Sequence, residues 1–343
     1  MTRRTAAHLD ATGWAGALTV RADEHDLPAP VRDQLLVAVE ACGVCHRDLI
    51  DREGRIRFLR LPIVPGHEAS GRVLQVGPDT QGFSPGDRVA TLHRDHCGVC
   101  DACLAGETTV CDRAASVLGL TIDGGYASHL LAPERVFYRV PDQLDAPTAA
   151  VLHCTLGTAW RGLVTQAGLR SGQHALITGA NGGVGHAAVL LAKSLGATVT
   201  AVIRDDAHQD FVASLGADQI LVDPGDTFHK RLGRRRADVV LDTVGATTFN
   251  ASLRSLRVGG RLVTVGNIVD ARVELNLGYI ITFGIRVIGS SGASGADMEA
   301  LLSWLGSHPI GLRIARTLEL SRADEAQRLL RRGGLEGRVV LVP

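Results

Sequence analysis

A glycine-rich turn between a short apolar run and a helical pattern places the strongest constraint on the fold. The apolar run covers residues 175–178, and the turn after it carries Gly179, Gly182 and Gly185. Apolar residues then recur at helical spacing until Gly196, which ends the pattern. A buried strand, a tight turn and a helix N-terminus in this order form a seat for a diphosphate. The sequence therefore predicts a dinucleotide site here, the alternative being an ordinary tight turn.

The rest of the chain predicts two kinds of domain, and its 343 residues are enough for both. From residue 172 to residue 289 strand and helix patterns alternate, which indicates βαβ units around a parallel sheet. The predicted strands cover residues 175–178, 198–203, 219–222, 238–242, 261–265 and 286–288. Earlier residues show short alternating runs and turns typical of antiparallel β-structure, beginning with 17–21 and 34–40. After residue 289, two helices and two strands are expected to return to the first domain.

Charge and hydropathy exclude several classes of partner. The formal net charge is zero and the pI is about 7.2, so nothing calls for nucleic acid or an anionic membrane. We find no signal-peptide core and no apolar run long enough to span a bilayer, and we expect a cytoplasmic protein. The odd count of seven cysteines argues against a disulfide framework.

Four of the cysteines fall within fifteen residues, at Cys97, Cys100, Cys103 and Cys111. Short spacers on a loop allow four thiolates to surround one zinc ion tetrahedrally. The alternative is a group of four unrelated reduced thiols. The clustering favours a closed, structural zinc site.

Motifs along nearly the whole chain resemble the zinc-containing, alcohol dehydrogenase-like branch of the medium-chain dehydrogenase/reductase superfamily. They occur in family order: Gly43-Val-Cys-His-Arg-Asp48, Gly66-His-Glu68, Gly86-Asp-Arg-Val89, the four-cysteine lobe, Cys154 with Thr158, and the glycine turn. The tail is similar to acryloyl-CoA reductase-type members at residues 242–245, 277–281 and 337–341. The resemblance implies an α/β protein with a GroES-like, β-rich catalytic domain and a Rossmann domain with a doubly wound parallel sheet. The expected boundaries are 1–154 and 291–343 for the catalytic domain and 155–290 for the Rossmann domain. A homodimer or homotetramer is also implied.

The resemblance further implies a catalytic zinc ion held by Cys45, His67 and Cys154. Two thiolates and one imidazole are a known ligand set that leaves the fourth position open. The alternatives are a small buried hydrophobe for Cys45 and a core histidine for His67. Cys154 stands isolated in the sequence, so its spacing alone says least.

Neighbours of these ligands are also expected to act at the metal. Glu68 is expected either to contact the ligands without binding the metal or to serve as an alternate ligand. Asp48 is expected to orient a ligand or His46 by hydrogen bonding. In alcohol dehydrogenases of this branch the position after His46 usually carries serine or threonine, whose hydroxyl passes on the alcohol proton. Here it is Arg47, which stays protonated and cannot act as a hydroxyl relay.

Three explanations of Arg47 stay open. The proton leaves through water or a histidine; the zinc is present but the chemistry is not alcohol oxidation; or Arg47 binds an anionic group of cofactor or substrate. Acryloyl-CoA reductase-like members also carry arginine here, which favours the second or third explanation.

Hydride transfer needs a nicotinamide cofactor, which the predicted dinucleotide site would hold. Counting back from Gly216, the acidic position that accepts the ribose hydroxyls falls on Ile203, and Arg204 follows it. A missing acid beside an arginine favours NADP(H) over NAD(H), although Asp205 and Asp206 could also reach the ribose. The expected cofactor-binding residues, some of them implied only by the resemblance, are His46, Thr158, Gly179, Asn181, Gly182, Gly183, Val184, Gly185, Arg204, Val265 and Gly266.

Three functions are compatible with these residues. The first is a zinc-dependent oxidoreductase that transfers a hydride between NAD(P)(H) and the carbonyl or alcohol carbon of a small-molecule substrate. The second is conjugate reduction of an activated C=C bond, as in a 2-enoyl thioester. The third is a non-catalytic dinucleotide-binding protein of the crystallin type, which the intact set of zinc ligands argues against. The sequence leaves the substrate open.

Overall fold

The computed structural model describes residues 2–16, 18–113, 116–224, 227–233, 235–269 and 271–343. They divide into two compact units. The first contains Met1–His153, Ser294–Met298 and Ile314–Pro343, and the second contains Cys154–Ala293 and Glu299–Arg313. Within the described part of the chain, no helix combines the length and the apolar character that a membrane span needs.

The first unit is mainly β-structure. Its elements before the second unit are β1 (Thr5–His8), β2 (Thr19–Ala22), β3 (Gln34–Val44), α1 (His46–Arg52), β4 (Ala69–Val76), β5 (Arg88–Thr91), α2 (Asp101–Leu104), β6 (His129–Pro133), β7 (Phe137–Arg139) and α3 (Ala146–Val151).

The second unit alternates strands and helices. Its elements are α4 (Thr158–Trp160), β8 (His174–Thr178), α5 (Gly183–Ser194), β9 (Thr198–Ile203), α6 (Gln209–Ser214), β10 (Gln219–Val222), β11 (Ala237–Asp242), α7 (Phe249–Arg254), β12 (Leu256–Thr264), α8 (Leu277–Phe283) and β13 (Arg286–Gly289). Helix α9 (Gly295–Leu305) begins among residues of the first unit and ends in the second. The first unit ends with β14 (Ile314–Glu319), α10 (Ala323–Arg332) and β15 (Arg338–Val342).

Strand β3 is the centre of the first unit. It pairs antiparallel with β4, β6 and β15, and the sheet runs β14-β15-β3-β4-β5-β7. The strand continues to Val44, four residues beyond the predicted run 34–40. Gly43 allows this part of the strand to lie close to Glu68, because a Cβ at residue 43 would clash with Glu68 Oε2 at 2.3 Å. The long strand therefore delivers Cys45 directly to the start of α1.

The first antiparallel pair of strands also differs from the prediction. Strand β2, which overlaps the predicted run 17–21, pairs with β1, a strand that was not predicted. Ala17, at the start of that run, lies outside the described residues. Thr5 and its neighbours were missed because so short an edge strand carries little periodicity.

The second unit contains a six-stranded parallel sheet in the order β10-β9-β8-β11-β12-β13. This is the order characteristic of dinucleotide-binding domains. The strand order changes sides between β8 and β11: β9 and β10 follow on one side of β8, and β11, β12 and β13 follow on the other. In folds with this strand order, ligands bind outside the carboxyl ends of the two strands at this point, where the glycine turn lies.

Residues 299–313 belong to the second unit, although the sequence placed 291–343 with the first domain. Packing of the last turns of α9 explains the difference, since the rings of Trp304 and Trp160 lie 5.6 Å apart. The other predicted domain limits stay predictions.

Candidate functional site

The junction of β3 and α1 builds the first part of the site. Asp48, in the first turn of α1, accepts a hydrogen bond from the backbone N–H of Cys45 at 2.9 Å. Its other carboxylate oxygen lies 3.0 Å from His67 Nδ1. Tyr126 donates its hydroxyl to Asp48 at 3.0 Å. Asp48 is thus fixed on both sides, and it turns the remaining ring nitrogen of His67 toward Glu68 Oε1, 3.6 Å away.

Four side chains of metal-ligating type converge here. The ligand atoms of Cys45, His67, Glu68 and Cys154 all lie within 4.8 Å of one another. Cys154 is the first residue of the second unit and is joined by its peptide bond to His153, the last residue of the first long segment. Soft thiolates with an imidazole are the donor set that zinc prefers, so these residues fit the metal that the sequence predicted.

Burial and charge set the protonation of the group. Burial and Arg47 lower the pKa of His67, but Asp48 and hydrogen bonds to Asp48 and Cys45 outweigh them and raise it to about 9. Burial raises the pKa of Glu68 to about 7, although Arg338 opposes this. A ligating nitrogen or thiolate must lose its proton, so metal binding at this group releases protons.

Arg338 was missed by the sequence analysis. It lies on β15 and donates to both carboxylate oxygens of Glu68. The two residues are far apart in the sequence, and Arg338 was noted only as part of the stretch 337–341 that resembles the family, with no role assigned to it. The ion pair holds the carboxylate beside the group whether or not Glu68 ligates a metal.

Arg47 is held inside the first unit by two partners. Its Nη2 donates to the carbonyl of Leu118 at 2.5 Å, and its Nε lies 3.1 Å from Asp51 Oδ2, one helical turn along α1. Burial raises the pKa of Asp51 to about 7, although Arg47 lowers it. A guanidinium therefore occupies the position at which the family's alcohol dehydrogenases place a hydroxyl.

The four-cysteine lobe brings its thiols together in the first unit. Cys97 Sγ lies 3.9 Å from Cys103 Sγ, and Cys100 Sγ lies 3.8 Å from Cys111 Sγ. A tetrahedral zinc ion with sulfur ligands at about 2.3 Å separates those sulfurs by about 3.8 Å. Both separations agree with the sulfur–sulfur distance in a tetrahedral ZnS4 site.

Backbone amides prepare one of these thiols for metal binding. The N–H groups of Val99 and Cys100 point at Cys97 Sγ, at 3.4 and 3.3 Å. These hydrogen bonds lower the pKa of the Cys97 thiol to about 6, whereas burial raises that of Cys103 to about 12. Hydrogen bonds to sulfur favour the thiolate, which is the form that ligates zinc.

The glycine turn follows β8 in the second unit. Gly179 has a φ of +59°, a backbone conformation that favours glycine. A Cβ on Gly185 would lie 2.0 Å from Gly179 O, so the helix start packs directly on the turn. Helix α5 begins with Gly183 and Val184. Their backbone N–H groups belong to the first turn, where N–H groups have no acceptor within the helix. The turn thus has the features of a diphosphate seat.

Asp242 organises the neighbouring strand end and was also missed by the sequence analysis. This fully buried carboxylate on β11 accepts hydrogen bonds from Thr178 at the end of β8 and from the backbone of Val244 and Gly245. Its carbonyl accepts from the backbone N–H groups of Val265 and Gly266. One buried residue therefore connects the ends of three adjacent strands beside the glycine turn.

Other predicted cofactor residues lie at separate places. Arg204 follows the end of β9, and its side chain is 77% exposed and 3.6 Å from Asp205. Ile203, at the position of the family's acid, is buried. His46 is exposed at the first residue of α1, and Thr158 is buried in α4. Asn181 lies in the turn itself.

Comparisons with known proteins agree with this architecture. Residues 31–142 match the alcohol dehydrogenase GroES-like domain, and residues 183–307 match the zinc-binding dehydrogenase family. An acryloyl-coenzyme A reductase of Metallosphaera sedula is 34% identical, over 92% of this chain and 93% of the relative. An alcohol dehydrogenase of Geobacillus stearothermophilus is 32% identical, over 93% and 94%. The crystal structure of AibC superposes with a TM-score of 0.93 and 36% identity, over 100% of this chain and 96% of the other.

The GroES-like match lies within the first unit, and the zinc-binding dehydrogenase match lies mainly in the second. The relatives match along nearly their whole length. The chain therefore belongs to the zinc-containing, alcohol dehydrogenase-like branch of the medium-chain dehydrogenase/reductase superfamily and is an oxidoreductase of that family.

Proposed function

We propose that the protein transfers a hydride between NAD(P)(H) and a carbonyl or alcohol carbon at a zinc ion held by Cys45, His67 and Cys154. The observation that carries this proposal is the convergence of the three ligand types within 4.8 Å, together with Glu68. When bound, the zinc ion would supply Lewis acidity toward a substrate oxygen. We assign catalysis to the first unit and dinucleotide binding to the second.

The residues around the ligands have separate tasks. Asp48 holds His67 in one ring orientation through Nδ1, which leaves Nε2 for the metal. Arg338 restrains Glu68, so that this carboxylate stays beside the ligands as a residue that can replace one of them.

Metal analysis with matched variants tests the ligand assignment. We expect His67→Ala and Cys154→Ala each to lose one zinc ion per chain and all hydride transfer. Cys42→Ala is the control, because Cys42 is a buried cysteine of β3 that lies outside both groups. Retention of the full zinc content in His67→Ala would contradict the assignment.

The second candidate function is conjugate reduction of an activated C=C bond, as in a 2-enoyl thioester. Arg47 favours it, because the guanidinium is tied to Asp51 and Leu118 and offers no hydroxyl for an alcohol proton. The similarity to an acryloyl-coenzyme A reductase supports the same candidate. In this reaction the hydride of NAD(P)H adds to the β-carbon and a proton from solvent adds to the α-carbon.

Steady-state kinetics decide between the two functions. The purified protein is incubated with an aldehyde, an alcohol or a 2-enoyl thioester, each with NADPH or NADH and with the oxidised cofactor for the alcohol. A kcat/KM for the thioester above that for the aldehyde supports conjugate reduction, and the reverse supports the first function. Cofactor binding without turnover of any substrate class would point to the non-catalytic alternative.

We infer a preference for NADP(H). Its support is the exposed Arg204 after β9, next to a buried Ile203 where a ribose-binding acid would otherwise stand. Asp205, which faces Arg204 at 3.6 Å, weakens the positive field but leaves the guanidinium accessible.

We also propose that the lobe of Cys97, Cys100, Cys103 and Cys111 holds a second, structural zinc ion. Its support is the set of sulfur separations and the amides directed at Cys97. None of the seven cysteines forms a disulfide, which suits a reducing compartment, and we place the protein in the cytoplasm.

The outer edge of β13 suggests how copies of the chain associate. This strand ends the six-stranded sheet and has no further strand partner among the described residues. Exposed apolar side chains lie on it and on α8, where Leu277 is 66% and Ile281 78% exposed. An uncovered edge with apolar neighbours favours pairing with a second copy. We propose a homodimer or larger homo-oligomer, which sedimentation velocity tests; a monomer at micromolar concentration would contradict it.

A further inference from the structure

His186, on α5, is fully buried and bonds at both ring nitrogens. Its Nδ1 lies 2.9 Å from the carbonyl of Gly182, and its Nε2 accepts the backbone N–H of Arg313 at 3.1 Å. Because a backbone N–H can only donate, Nε2 carries no proton and Nδ1 is the donor to Gly182. The geometry therefore requires a neutral imidazole in one tautomer.

The two partners of His186 lie in segments with different tasks. Gly182 belongs to the glycine turn, and its planar peptide bond sets the direction of the Gly183 N–H at the start of α5. That N–H has no acceptor within the helix and is available to an anionic group. Arg313 is the last residue of the second unit before the chain enters the first at Ile314.

We propose that His186 is a positioning residue that couples occupation of the diphosphate seat to the order of residues 306–313. The inference rests on the proposed binding of a dinucleotide. A diphosphate held at the turn restrains the Gly182 peptide, and His186 transmits this restraint to the Arg313 amide. By linkage, loss of the bridge weakens dinucleotide binding.

His174 provides a matched control. It is a second buried histidine of the same unit, on β8, with Nε2 2.8 Å from Thr200 Oγ1 and Nδ1 3.3 Å from the Arg236 carbonyl. Neither partner lies in the glycine turn or in residues 306–313. Replacement of His174 therefore reproduces the loss of a buried, bonded imidazole without breaking the bridge.

Hydrogen–deuterium exchange and cofactor titration test the coupling on the full-length protein. In the native protein we expect NADPH, or NADH, to slow exchange in residues 179–185 and in 306–313. His186→Leu should exchange faster at 306–313 without cofactor, lose the cofactor effect there and keep it at the turn. Its Kd for the cofactor should rise about three- to thirty-fold, the range expected for loss of two buried hydrogen bonds. His174→Leu should leave Kd and both exchange patterns unchanged.

Conservative variants separate positioning from packing. The amide of His186→Gln offers a donor and an acceptor at a spacing close to that of the imidazole nitrogens, so Kd should stay within about threefold of native. His186→Asn is too short for both bonds and should resemble the leucine variant. If the leucine variant does not fold, the glutamine and asparagine variants carry the test.

Each contrary result has its own meaning. A native protein that binds NADPH or NADH without slower exchange at 306–313 would overturn the coupling and leave the proposed function intact. The same holds for an unchanged Kd in His186→Leu, or for equal Kd values in the glutamine and asparagine variants. A native protein that binds neither cofactor would overturn the proposed function and, with it, the inference.

Discussion

Removal of Arg47 alone is expected to destabilise the first unit, whereas removal of Arg47 and Asp51 together is not. The two charges lie 3.1 Å apart, and their side chains are only 20% and 4% exposed. Loss of one member of a buried pair costs about 3–5 kcal/mol, because the other charge stays behind without compensation. At pH 9, the pH used for the calorimetry, the Asp51 carboxyl with its pKa of about 7 is ionised beside Arg47. Since Arg47 keeps some contact with water, we expect Arg47→Thr to cost about 3 kcal/mol at this pH. In the double variant Arg47→Thr/Asp51→Asn no charge is stranded, and the net cost should be near zero.

Differential scanning calorimetry of the zinc-loaded proteins measures this difference. For a unit of this size about 1 kcal/mol shifts Tm by about 2–4 °C, so Arg47→Thr should melt about 6–12 °C below the native protein. Asp51→Asn should also melt lower, because it leaves Arg47 unpaired. The double variant should melt within about 3 °C of native. Zinc content is measured for every variant, so that metal loss is not mistaken for loss of the ion pair.

The charge argument fails if Arg47→Thr and the double variant melt at the same lowered temperature. The loss would then come from the Leu118 carbonyl, which both variants leave without the Arg47 donor, and not from the stranded carboxylate. An unchanged Tm in Arg47→Thr alone would show that Asp51 takes up a proton or contacts water at little cost.

Three further outcomes are expected. Arg47→Thr/Asp51→Asn should oxidise alcohols at least about tenfold faster than Arg47→Leu/Asp51→Asn, because only the first carries a hydroxyl and a positioned proton-transfer group contributes about 10²–10⁴-fold; equal kcat/KM values would show that the missing relay does not limit alcohol chemistry. Arg204→Ala should raise the Kd for NADPH about tenfold and that for NADH less than about twofold; fluorescence titration checks this, and equal losses would refute phosphate recognition. Cys103→Ser should remove one zinc ion per chain and lower Tm, while Cys42→Ser keeps the full content by elemental analysis.

Local patterns made most of the second unit predictable from sequence. Buried parallel strands are continuous apolar runs with glycine at their ends, and this signal identified Thr198–Ile203 and Gln219–Val222 with their observed limits. The order of strand, glycine turn and helix likewise identified α5, which begins at Gly183. In such elements the residues that determine the structure are close neighbours in the chain.

Metal-ligand candidates were predictable for a different reason. Cysteine and histidine are infrequent, and their spacing in short motifs restricts the chemistry they can support. The candidate zinc site of residues 97–111 could be predicted from spacing alone, since its four cysteines lie close together in the sequence. Cys154 required the family resemblance, because nothing in its own surroundings marks it as a ligand.

The residues that fix the orientation of the site were not predictable, because each acts on a partner distant in the chain. Arg338 reaches Glu68 across β15 and β3, and Asp242 joins the ends of β8 and β12 to its own strand. Asp242 and Arg338 lie in the stretches 242–245 and 337–341 that resemble the family, but that resemblance assigns neither residue a role. Arginine and aspartate are also common, so neither stands out from ordinary surface charge. Burial reveals them, since a buried charge is stable only with partners, and the choice of partner follows from the fold. A sequence of this family therefore indicates the candidate metal ligands. The packing of the strands determines which residues hold those ligands in place.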